Sequence, residues 1–285
     1  MSLSRVIALT LVVVVLSACG GRSSTEPSVS GSPSLSSVLL PWAAFPVQAS
    51  PRPIVMVDPP VGKERVDGKS PAFPDGPSKE AFLMGAIDPP AVFPGGPAMA
   101  AGYPIISAER AFTFLRTASS SNATPSSTSR LAVTAVRLGR ATFLTDRGPA
   151  SLPAWLFSVS PANFLTSVLA IAPDGQWRPA GLRSDAGLGR ATGASLGADE
   201  RTLTVSFTGG ATGTGSCTSD YALAVTESAT AVAVRIIEHP HGSGTEICTL
   251  VGYQRTASTI LRDRLGNRVV VDAPSGGPIA VTGTR

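Results

Sequence analysis

The sequence predicts an α+β chain: a small helix-plus-antiparallel-sheet module, then a β-sandwich-like module with one disulfide. Three observations carry this. Apolar residues at 108, 111, 112 and 115 repeat at helical spacing. From Leu131 onward the apolar period becomes two, the signature of half-buried strands. Cys217 and Cys248 form an even pair close to strand ends.

Taken in order, residues 19–50 are rich in Ser, Pro and Gly and read as a flexible tether. Residues 51–102 hold frequent Pro between apolar knots, PIVMV at 53–57, AFLMGAI at 81–87 and AVF at 91–93. They read as extended arms lying on the folded part, with an edge strand near 54–57. Ser107 then caps a helix in which Glu109 favours the positive end and Ala108, Ala111, Phe112 and Leu115 form one stripe. A Ser/Thr-rich loop, 117–129, ends it. LAVTAVRL, ATFLT, LPAWLFSV and SVLAIAP read as strands, with Thr145-Asp146-Arg147-Gly148 as a turn, and complete a module over 51–173. Trp155 and Phe157 alternate with Ala154 and Leu156, which fits a central strand apolar on both faces. Helix followed by antiparallel sheet is similar, in element order alone, to the PepSY and cystatin-like modules of exported proteins.

Residues 174–200 read as a Gly-rich connection. Over 201–285 the strands RTLTVSF, DYALAVTE, AVAVRIIE, YQRTASTIL, RVVVDA and PIAV alternate with turns such as Gly209-Gly210 and Gly276-Gly277. Leu203, Val205 and Phe207 share one face, and so do Tyr221, Leu223 and Val225.

The N-terminus carries an address. Arg5 precedes an apolar run from Val6 to Leu16, then the small residues Ser17 and Ala18. That order is a secretory signal, and about a dozen apolar residues are too few to span roughly 30 Å of hydrocarbon. Leu16-Ser17-Ala18-Cys19 resembles the lipobox of bacterial lipoproteins. The resemblance implies a signal peptide over 1–18, diacylation of the Cys19 thiol and cleavage before it, leaving the protein on the extracytoplasmic face of the cell membrane. Two or more acyl chains make such attachment stable. The competing readings are an uncleaved membrane helix and a buried cysteine behind an ordinary signal. In an exported chain Cys217 and Cys248 read as a disulfide, the alternative being two separate thiols. The layout of LPAWLF, SCTSDYALAVTES and CTLVGYQRTASTILRDRLGNRVVVDAPSGGPIAV is similar to uncharacterised actinobacterial surface lipoproteins. That resemblance spans roughly residues 103–285 and implies location and domain extent, not chemistry.

The charge balance, 23 Lys+Arg against 19 Asp+Glu, is spread along the chain and gives no nucleic-acid footprint. Two candidate chemistries stand out. Gly193-Ala194-Ser195-Leu196-Gly197 matches G-x-S-x-G, and Ser195, Asp220 and His239 or His241 follow hydrolase order. A nucleophile elbow needs a strand before the serine and a helix after it. Here loop-like sequence precedes it and a strand follows soon after, which favours a flexible linker. His239-Pro240-His241, flanked by Glu238 and Glu246, offers weak Zn²⁺ or Cu²⁺ ligands, against the plainer reading of a hairpin tip stiffened by Pro240. Asp146 and Arg147 fit a recognition loop or, more simply, a turn. Asn122-Ala123-Thr124 fits a glycosylation sequon that a bacterium usually leaves silent. No phosphate-cradling loop, CxxC or HExxH is present, and no cofactor is expected. The expectation is a non-catalytic envelope protein offering loops or sheet edges to a protein or glycan partner.

Overall fold

A computed structural model of the chain describes residues 34–119, 129–180, 191–242, 247–249 and 251–283. In order these form helix α1 (Leu35–Leu39) with a 3-10 turn after it, strand β1 (Val61–Arg65), helix α2 (Gly76–Leu83), the short strands β2 (Ile87–Asp88), β3 (Met99–Ala100) and β4 (Tyr103–Pro104), and helix α3 (Ala108–Ser119). Strands β5 (Leu131–Thr145), β6 (Gly148–Ser160) and β7 (Phe164–Leu169) follow. Then come β8 (Ala191–Leu196), β9 (Thr202–Gly209), β10 (Ser219–Glu227), β11 (Ala231–Pro240), β12 (Tyr253–Ile260), β13 (Val269–Asp272) and β14 (Val281–Gly283). The fold is β-rich, with several sheets and one disulfide.

The first sheet has the order β1-β7-β6-β5-β2. Helix α3 starts where Ser107 Oγ accepts from the Arg110 N–H at 3.2 Å, satisfying one free donor of the first turn. Its stripe of Ala108, Ala111, Phe112 and Leu115 is buried in the cluster that also holds Trp155, Phe157 and Val159 of β6. Each large apolar side chain buried this way contributes about 1.5–3 kcal/mol. The other face of β6, Leu152, Ala154 and Leu156, packs with Phe143 and Ile171 in a second cluster. Strand β6 is therefore central and apolar on both sides. A bulge between Val133 and Ala135 shifts the register, so Leu131 and Val133 before it and Val136 and Leu138 after it reach the same cluster.

In the C-terminal half the sheet β10-β11-β13 packs on the sheet β12-β9-β8-β14. Leu203, Val205, Phe207 and Ala257 of the second meet Val232, Val234, Ile236 and Val270 of the first in one core. Alternation places the odd-numbered residues of β11 on the opposite face. There Ala231 and Ala233, with Val269 and Val271, are covered by Val38, Leu39, Trp42 and Phe45.

That last contact corrects the tether expected over 19–50. Residues 34–47 are part of the folded body, with Trp42 fully buried and its Nε1–H donating to Gly276 O at 3.3 Å. Residues 19–33 lie outside the described residues. The arm over 51–102 also needs correction. Ile54 and Met56 bridge to Gln176 and Thr145, an extended segment on the fold, but 76–83 is helical. Asp75 caps that helix, accepting from the Ser78 N–H at 2.7 Å, and Pro77 sits in its first turn. The end of the Gly-rich connection is strand β8, paired with β9 and β14, because Ala194 finds a place in the shared core.

The division into separate modules does not appear either, since residues 33–285 form one unit. The tip of the β5–β6 hairpin ties the halves together. Asp146 O accepts from the Val281 N–H at 3.1 Å, and Arg147 donates to Gly266 O at 2.8 Å and Arg268 O at 3.1 Å. Asp146 is buried and paired with Arg52, so Asp146 and Arg147 serve the junction and not a recognition loop.

Candidate functional site

The residues singled out by sequence gather only in part, at one end of the β10–β11 ladder. Asp220 stands opposite His239 in the register, and Ser219 opposite Pro240. Cys217 lies just before β10, and its disulfide to Cys248 closes the loop after β11. His241 folds back over the strand end: its N–H donates to Thr218 O at 2.9 Å.

The imidazole of His241 is engaged at both nitrogens. Nε2 lies 2.9 Å from Asp220 Oδ2, and Nδ1 lies 3.1 Å from Thr218 Oγ1. The Thr218 hydroxyl, with its single proton, also lies within hydrogen-bond reach of the carbonyls of Gly213 and Gly215. The hydrogen bond to Asp220 holds the His241 proton and raises its pKa above the usual histidine value; partial burial opposes this. On the other face of the ladder Glu238 accepts from Ser219 Oγ at 3.0 Å and Tyr221 Oη at 3.2 Å, and Tyr221 Oη accepts from the Gly210 N–H at 2.6 Å.

Both ring nitrogens of His241 are thus engaged within the protein, by Asp220 and Thr218. His239 is exposed, Glu238 is committed to Ser219 and Tyr221, and Glu246 lies outside the described residues. Among the described residues no group of three or more His, Cys, Asp or Glu side chains is placed to hold a metal ion.

Ser195 is elsewhere. It lies one residue before the end of β8, opposite Thr204 and Thr282, and is exposed while its neighbour Ala194 enters the core. It therefore occupies the outer face of one sheet. Asp220 and His239 occupy the outer face of the other. Two packed sheets are about 10 Å apart, so the trio cannot meet within hydrogen-bond reach. Nor is the backbone strained at Ser195: among the described residues the non-glycine positions with left-handed φ are Asp67, Ala101 and Glu200. Gly-x-Ser-x-Gly is here a strand, not a nucleophile elbow and not a flexible linker.

Two further features went unmarked in the sequence. A surface groove of about 520 Å³ runs beside α3, lined by Met84, Phe93, Glu109, Phe112 and Arg116. Lys63 of β1 lies among three phenylalanine rings, Phe73, Phe82 of α2 and Phe164 of β7. Their residues are far apart in sequence and carry no local motif. Cys19, the expected lipidation site, lies outside the described residues.

Comparison with known proteins found no family model that matches the chain, no similar curated protein and no similar solved structure.

Proposed function

We propose that the chain is a membrane-anchored extracytoplasmic lipoprotein, acylated at Cys19, and that its folded part is a non-catalytic binding or envelope accessory protein. The observation that carries this reading is the Cys217–Cys248 disulfide. Disulfides persist in oxidising compartments, which agrees with the export implied by Leu16-Ser17-Ala18-Cys19. The non-catalytic part draws support from the separation of Ser195 from Asp220 and His239 on opposite outer faces. Its partners are the membrane, through the acyl chains, and an envelope protein or glycan.

In this reading the C-terminal half is a sandwich-like pair of sheets and the N-terminal half an α+β layer of helices on the first sheet. Among the described residues no helix is long and apolar enough to cross a membrane. The test is growth with a radiolabelled fatty acid of cells expressing the wild type and Cys19→Ser. Label carried by the wild-type chain and lost on substitution supports the proposal. A wild-type chain without label contradicts it.

A further inference from the structure

The ammonium of Lys63 sits 5.3, 5.4 and 5.1 Å from the ring centroids of Phe73, Phe82 and Phe164. The rings themselves are 5.1–6.2 Å apart and steeply inclined to one another. Phe82 and Phe164 are buried, Phe73 is half-buried and Lys63 is exposed, so the cage opens to solvent on the lysine side. Among the described residues no carboxylate lies within ion-pair distance of Lys63, and Glu64 turns to Ser167 Oγ at 3.0 Å. The cage therefore attracts a cation through ring quadrupoles alone.

A primary ammonium is a poor match for such a site. It carries three N–H donors and is strongly hydrated, and phenyl rings cannot replace those hydrogen bonds. A trimethylammonium group spreads its charge over methyl groups that pack on the ring faces. A second feature lies beside the cage. Thr166 stands directly across from Lys63 in the β1–β7 register, and Phe164 and Thr166 share a face. The Thr166 hydroxyl is buried and has no hydrogen-bond partner among the described residues. A ligand with an oxygen close to its quaternary nitrogen would engage both.

We infer that Phe73, Phe82 and Phe164 form a binding site for a choline-type trimethylammonium group, and that Lys63 is its resident plug, displaced when the ligand enters. The assignment uses only residues 61–168 and stands whether or not the chain is lipid-anchored. The ligand is either a free solute or a lipid headgroup.

The test is an NMR titration of the full-length protein with choline, tetramethylammonium and glycerophosphocholine, following the phenylalanine ring signals. Removing the plug in Lys63→Ala is expected to tighten choline binding about tenfold, and adding Phe73→Ala at the half-buried wall to reverse that gain. Comparable binding of glycerophosphocholine points to a headgroup, and binding of choline alone to a free solute. Equal affinity for choline and tetramethylammonium removes Thr166 from the site. No saturable shift in Lys63→Ala, or one that Phe73→Ala leaves unchanged, overturns the inference. Should Lys63→Ala fail to fold, the wild type still decides: the Lys63 side-chain signal must move with the ring signals, and ring shifts without it contradict displacement.

Discussion

Arg52 and Asp146, 94 residues apart, meet in a two-pronged ion pair at the tip of the β5–β6 hairpin. The Asp146 side chain is 1% exposed and that of Arg52 17%. The same guanidinium donates to Asn267 O and stacks on Phe45 at 4.8 Å from the ring centroid. One contact thus joins the N-terminal segment, the first sheet and the loop before β13.

Breaking a buried pair from one side leaves an uncompensated charge. Asp146→Ala is expected to cost about 3–5 kcal/mol, while Arg52→Met with Asp146→Leu costs much less than the single change. Urea midpoints of the three proteins check this. A single change that is as mild as the double would show that the pair is screened by solvent.

Trp42 tests whether the N-terminal segment belongs to the fold. Its indole fills the outer face of β11 and β13 and is fully buried. Trp42→Ala is expected to destabilise by about 3–5 kcal/mol. An unchanged unfolding midpoint would return residues 34–47 to the role of a tether.

The disulfide spans a sequence separation of 31. On the chain-entropy model, Cys217→Ala with Cys248→Ala is expected to lower stability by about 3–4 kcal/mol. Thermal unfolding of the double variant against the oxidised wild type measures it. The loss should disappear when both proteins are studied under reducing conditions.

His241 provides a pH signature. Its folded-state pKa is raised, first through the hydrogen bond to Asp220. The contribution is fully present below the unfolded value of about 6.5 and is lost as pH rises through the folded pKa above it. NMR titration should place His241 above the usual histidine value in the wild type, and Asp220→Asn should bring it down. An unmoved His241 in that variant would remove Asp220 as the cause.

How far the sequence could be read depended on whether a signal was local. Helix α3 shows in its capping Ser107 and its four-residue stripe, both within one stretch. The strands of 201–285 show because Leu203, Val205 and Phe207 alternate with polar neighbours. Helix α2 was hidden in the Pro-rich stretch that reads as extended arms, although Pro77 after a capping Asp75 marks a first turn. Strand β8 was hidden because Gly193 and the glycines flanking the strand resemble a linker, and only pairing with β9 and β14 orders it. Trp42 sat in Ser/Pro-rich sequence, and what buries it lies some 190–230 residues away. The site residues followed the same rule. Asp220 and His241 meet through adjacent strands, whereas Ser195 shared only an order along the chain with them. The phenylalanine cage has no order along the chain to notice.

The central claim is export with acylation at Cys19. Intact-mass and peptide mass spectrometry of the protein extracted from membranes tests it most directly. The expected product is a chain beginning at a diacylglyceryl-modified Cys19, with Cys217 and Cys248 joined. Soluble protein that retains an unmodified Met1, with both of those thiols free, would contradict it.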